Sequence, residues 1–136
     1  MKLDLTSLKK ATESFLIAIE KYESDKDDEF VRDSVIQRFE YSYELSTKMI
    51  KRYLSETSAD PSIVNELSFQ EHIREAYTKG LLLNSWDQWK IYREDRNRTS
   101  HGYDEESAKS IAENVKQFHG ELHYLIEKLE EYNSKQ

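Results

Sequence analysis

From Ala108 to Tyr132 the chain places Ala108, Ile111, Val115, Phe118, Leu122, Leu125, Leu129 and Tyr132 at intervals of 3, 4, 3, 4, 3, 4 and 3. That spacing keeps an apolar stripe on one side of a helix with 3.6 residues per turn, whereas a strand would bury alternate residues. It predicts one unbroken helix with a heptad seam, covered either by other helices of the same chain or by a second chain. Gly120 weakens this helix by about 1 kcal/mol relative to alanine, which predicts another backbone close by. Three glycines and one proline in 136 residues supply too few breaks for a β fold.

The remaining chain reads as further amphipathic helices. One is expected from about Asp4 to Ser24, carrying Leu5, Leu8, Phe15, Leu16, Ile19 and Tyr22. A second, capped by Asp27 or Asp28, runs to about Ser55 with Val31, Val35, Phe39, Leu45, Met49 and Tyr53 as its stripe. Ser42 lies on that stripe, where a neighbouring helix can approach closely. Asp60-Pro61 suits the start of a short helix. Phe69 to Lys79, with Phe69, Ile73, Ala76 and Tyr77 inward, is closed by Gly80, and Asn84 or Ser85 caps a helix with an aromatic face of Trp86, Trp89, Ile91 and Tyr92. That helix should stop at Gly102, and Asp104 caps the last one. The expected architecture is a single domain over residues 1–136, an all-α antiparallel up-and-down bundle of four main helices plus one short one.

Composition narrows the function classes. Twenty Lys and Arg against 27 Asp and Glu leave a net charge of −7, which disfavours broad coating of nucleic acid. No stretch approaches the roughly 18 consecutive apolar residues of a membrane span, and no signal-peptide pattern opens the chain, so a cytoplasmic protein with no membrane partner is expected. With no cysteine, disulfides, thiolate metal sites and a cysteine nucleophile are excluded.

An all-α fold carries no function of its own, so chemistry must be sought in a local site. The stretch D-R-N-R-T-S-H-G-Y-D, Asp95 to Asp104, concentrates Arg96, Asn97, Arg98, His101 and Tyr103 beside the break at Gly102. In a regular helix the five steps from Arg96 to His101 turn the chain by about 500°, so the two side chains share a face only if the helix unwinds before Gly102 or a two-fold axis brings two copies together. Such a pair suits metal-free cleavage of an RNA phosphodiester. The imidazole of His101 exchanges a proton with the 2′-OH or the leaving 5′ oxygen, Arg96 holds the nonbridging oxygens, and Asn97 orients phosphate or imidazole. The plainer alternative is that Arg96 and Arg98 pair with Glu94, Asp95 or Asp104 and that His101 closes a helix end.

Other constellations are weaker. His119 and His123, four apart with Glu121 between, lack the H-E-x-x-H order and a third ligand, so no metal site is assigned, and His72 reads as a surface residue. No glycine-rich phosphate loop is present. Trp86, Trp89 and Tyr92 at helical spacing read as core before they read as a base-stacking platform. Arg38, Lys48 and Arg52 with Lys90, Arg93, Arg96 and Arg98 form either a local positive groove or solvated helix faces.

The blocks R-D-S-V-I-Q-R-F-E-Y-S-Y-E-L (32–45), I-R-E-A-Y-T-K-G-L-L (73–82) and W-D-Q-W-K-I-Y-R-E-D-R-N-R-T-S-H-G-Y-D-E-E (86–106) together resemble the HEPN superfamily, and within it the HepT-like group of nucleotidyltransferase substrate-binding proteins. Arg96, His101 and Tyr103 match the group's pattern of Arg, four residues, His, one residue, Tyr. The resemblance implies a HEPN-like bundle acting as a homodimeric ribonuclease toxin of a type VII toxin–antitoxin pair. Its implied partners are RNA and a cognate MntA-type nucleotidyltransferase antitoxin, with neither DNA nor a cofactor. It further implies that the antitoxin moves AMP from ATP onto Tyr103 and so silences the nuclease, by charge and by occupancy of the cleft. A noncatalytic subunit presenting substrate to a nucleotidyltransferase is the alternative.

Overall fold

The computed structural model describes residues 1–100 and 102–136, and among these it contains seven helices and no strand. They are α1 (Thr6–Ser24), α2 (Glu29–Thr57), α3 (Pro61–Glu66), α4 (Phe69–Thr78), α5 (Trp86–Ser100), α6 (Glu105–Asn114) and α7 (Lys116–Ser134). The ends expected at Asp28, Asp60, Gly80 and Asp104 hold. Asp28 caps α2 by accepting from the amides of Phe30 and Val31, Asp60 caps α3 from Ser62, and Asp104 caps α6 from Ser107. Ser68 and Glu71 form a reciprocal capping box at α4, and Gly80 closes that helix at φ 81°.

The long α2 runs through the middle and touches every other helix. Its Ser42 is buried and donates to the Ala11 carbonyl of α1, so the small side chain does let the two backbones draw together. Phe118 of α7 is the hub of the core. Its ring lies 5.3 Å from Phe39, 5.4 Å from Trp89 and 4.9 Å from Tyr92, all edge-on, tying α2, α5 and α7 together. Edge-to-face pairs add about 0.5–1.5 kcal/mol each beyond the area they bury. Trp89 and Tyr92 are therefore core residues, and their burial turns the opposite face of α5 outward.

The structure corrects four expectations. The seam from Ala108 to Tyr132 is buried through Leu129, yet the helix is broken at Val115, where Phe118 N–H bonds the Val115 carbonyl at i−3. The physical reason lies in what each half covers, since α6 packs chiefly on α2 and α7 chiefly on α1. One straight rod could not follow both. Gly120 is exposed, and nothing lies within 4 Å of where its Cβ would stand, so no second backbone explains it. Leu16, Tyr77 and Ile91 are exposed because each sits on the flank of its stripe, leaving Phe15, Ala76 and Trp89 to fill the core. His72 is half-buried, its Nε2–H donating to the Val64 carbonyl at 2.8 Å.

Candidate functional site

Fixing Trp89 and Tyr92 in the core fixes the azimuth of α5, and Arg93, Arg96 and Asn97 then face outward beside α2. The Arg96 guanidinium is bracketed by two carboxylates that α2 presents one turn apart. Its Nη2 donates to Glu44 Oε1 at 2.6 Å, its Nη1 lies 3.6 Å from Glu40 Oε2, and Nη1 also reaches Thr99 Oγ1 at 3.4 Å. Its partners thus come from α2, not from Glu94, Asp95 or Asp104. Arg98 follows the plainer expectation and pairs with Asp95 Oδ1 at 3.4 Å. Asn97 is exposed on the same groove as Arg96.

Helix α5 ends at Ser100, and Gly102 follows at φ 76°, the left-handed region where glycine is strain-free. The helix therefore stops short of Gly102. His101 lies outside the described residues. Tyr103 follows Gly102 and is 38% exposed. Its phenol is raised above the usual value of 10 by partial burial first, then by the Asp33 and Glu40 carboxylates, with Arg32 opposing. Glu40 thus lies 3.6 Å from Arg96 and its charge is also felt at the Tyr103 phenol.

Three buried ionic residues near this region escape a reading by composition. Arg32 is 5% exposed, its Nε without a hydrogen-bond partner among the described residues and its Nη1 only 4.0 Å from Glu105. Asp95 is 3% exposed, with Oδ2 likewise unpartnered, and burial raises its carboxyl against the pull of Arg98. Glu121, 1% exposed, accepts from Leu83 N–H at 2.7 Å, Asn84 N–H at 3.0 Å and Trp89 Nε1–H at 2.8 Å, which pins the start of α5 to α7. All three stand three or four residues from core positions: Arg32 from Val35 and Ile36, Asp95 from Tyr92, and Glu121 from Phe118 and Leu125. That spacing was the available signal.

Glu121 points away from the histidines that flank it. His119 is half-buried against Phe15, with ring centroids 6.3 Å apart, and His123 lies 3.9 Å from Glu127. Among the described residues no three His, Asp or Glu side chains are grouped to hold a metal ion, and no helix is long and apolar enough to cross a membrane. The basic residues divide as well. Arg38 is occupied by Ser14 and Ser34, both at 2.7 Å, whereas Arg93 and Arg96 share a groove.

Residues 3–131 match the model of a family described as nucleotidyltransferase substrate binding protein like. The chain belongs to that family. Within this HepT-like family, it is 38% identical over 98 residues to a Haemophilus influenzae protein named "Probable ribonuclease HepT", a match covering 72% of this chain and 66%, just under two thirds, of that protein. A solved Haemophilus influenzae structure, described as revealing the fold of a substrate binding domain of a nucleotidyltransferase, superposes with a TM-score of 0.86 at 31% identity. That superposition covers 93% of this chain and 99% of the other. The helical fold expected for a HepT-like protein is thus the fold of this one.

Proposed function

We propose that this chain is a metal-independent endoribonuclease, the toxin of a type VII toxin–antitoxin pair, which works as a homodimer through Arg96 and His101. The observation that carries the reading is the Arg96 guanidinium held at the α2 surface between Glu40 and Glu44, with the Glu40 charge also felt at the Tyr103 phenol. The relative named as a ribonuclease supports the same chemistry.

In this mechanism Arg96 exchanges a carboxylate for a phosphate. Glu44 is half exposed, and solvated ion pairs of this kind are worth only about 0–1 kcal/mol, so a bidentate phosphate displaces it readily. His101 takes the 2′-OH proton, the 2′ oxygen attacks the adjacent phosphorus, and the bond to the 5′ oxygen breaks as that oxygen receives a proton. Arg96 offsets the charge gathering on the nonbridging oxygens. Asn97, exposed on the same groove, orients the phosphate or the imidazole.

Tyr103 is the switch. Its phenol oxygen attacks the α-phosphorus of ATP, pyrophosphate leaves, and the phenol carries AMP. Because burial and neighbouring carboxylates hold that phenol protonated, the partner nucleotidyltransferase, of MntA type, must supply the base that removes its proton. A phosphodiester and an adenosine then occupy the space beside Arg96. The noncatalytic alternative, favoured by the printed description of the superposed structure, keeps the transferase partner and drops the cleavage.

Incubation of the purified chain with total RNA in EDTA separates these readings. Cleavage is expected from the wild type, is lost in His101→Ala with the fold intact, and is lost in the wild type after treatment with the transferase and ATP but retained in treated Tyr103→Phe. An intact wild-type chain that leaves RNA uncut would favour the binding module.

A further inference from the structure

We propose that the groove between α2, α4 and α5 is a nucleobase subsite, in which the Arg93 guanidinium, laid on the Phe69 ring, stacks a base of single-stranded RNA next to the phosphate held by Arg96. The choice of RNA as ligand rests on the ribonuclease reading; the platform itself does not. The groove is open to solvent, has a volume of about 410 Å³ and is lined by Tyr43, Glu44, Phe69, Arg93, Arg96 and Asn97 among others. Sites for small organic groups fall in the range of about 300–1,000 Å³.

The platform is built rather than incidental. Arg93 lies 5.3 Å from the Phe69 ring centroid. Phe69 cannot turn away, because Trp86 at 5.9 Å, Trp89 at 6.4 Å and Tyr43 at 6.2 Å hold its edges from the core side. Arg96 and Arg98 are each neutralised by carboxylates, whereas Arg93 has no ion pair among the described residues. Its charge and its plane are both open to a ligand. The Tyr43 hydroxyl, pushed up to about 12 by burial although Arg93 and Arg96 pull it back, stays a neutral donor in the groove wall. Arg93 and Arg96 are three residues apart on one helix face, one turn along α5, so a phosphate on one leaves its neighbouring base over the other. Arginine planes and aromatic rings are the usual partners of splayed RNA bases. Of Trp86, Trp89 and Tyr92, which read as core in sequence before they read as a stacking platform, Trp89 and Tyr92 are buried and cannot take part, and Trp86 packs edge-on against Phe69.

The test uses a short single-stranded RNA with 2-aminopurine in place of adenine, bound in EDTA to full-length His101→Ala so that the strand stays intact. Binding should quench the fluorescence as the base stacks. Adding Arg93→Ala should weaken affinity about tenfold and abolish the quench. Arg93→Lys, which keeps charge without the plane, should also lose the quench. An abasic strand of equal length should bind the Arg93→Ala protein nearly as well as its parent. Absence of RNA binding, unchanged quenching in both Arg93 variants, or full quenching with Arg93→Lys would overturn the subsite. So would conversion of a dimer to monomers by Arg93→Ala in sedimentation, which would assign the groove to a subunit contact. A wild type that fails to cleave RNA, beside an Arg93-dependent quench, would refute the nuclease and leave the subsite standing. Cleavage indifferent to Arg93 in a chain with no such quench would do the reverse.

Discussion

A carboxylate placed among aromatic rings must be matched by donors, and Glu121 is. Three N–H groups from the α4–α5 connection and from Trp89 converge on it, and burial still raises its carboxyl above the ordinary 4.5. Glu121→Gln keeps one acceptor oxygen and puts an NH₂ where a second donor arrives, so it should cost about 1–3 kcal/mol at neutral pH, read from urea unfolding. The pH dependence has a definite sign. A carboxyl with a raised native value binds its proton more tightly folded than unfolded, so stability falls as pH rises through the interval above 4.5. The advantage of the wild type over Glu121→Gln should therefore widen as pH is lowered from neutral into that interval, and a gap that narrows would contradict the assignment. Arg96 and Tyr103 were legible because their types and spacing form a motif. Glu40 and Glu44 were not, because only the crossing of α5 over α2 selects them from 27 acidic residues.

Helix ends were written locally and could be read locally. The capping box at Ser68 and Glu71 joins two residues three apart, and Ser68→Ala should cost about 0.5–2 kcal/mol in the same unfolding measurement. Helix interiors depend on neighbours that sequence spacing does not identify. The heptad run correctly marks the buried side of α6 and α7, yet the break at Val115 comes from covering two differently placed partners. Gly120 shows the converse. Its place in the pattern suggested a close contact, but its surroundings are open, so Gly120→Ala should stabilise the protein by about 0.5–1 kcal/mol, raising the urea midpoint without changing the slope. A loss of stability would restore the idea of a packing role.

At the scale of the molecule, a net charge of −7 sits beside a site proposed to bind an anion. Among the described residues Arg93 has no ion pair, and in the proposed mechanism a phosphate takes the place of the half-exposed Glu44 on Arg96. The aromatic hub at Phe118 sets the azimuth of α5 and thereby aims both arginines, so the polar site depends on apolar packing. Arg96→Ala should leave the fold intact by circular dichroism and lower the cleavage rate by on the order of 10²–10³, the usual cost of removing one preorganised donor from a developing oxyanion.

The most direct measurement is the identity of the ends left on a labelled RNA cut in EDTA. Attack by the 2′ oxygen, assisted by His101 and Arg96, leaves a 2′,3′-cyclic phosphate facing a 5′-hydroxyl, and those ends are expected from the wild type and from neither Arg96→Ala nor His101→Ala. Cutting that needs added metal, or that leaves a 3′-hydroxyl and a 5′-phosphate, would contradict the account.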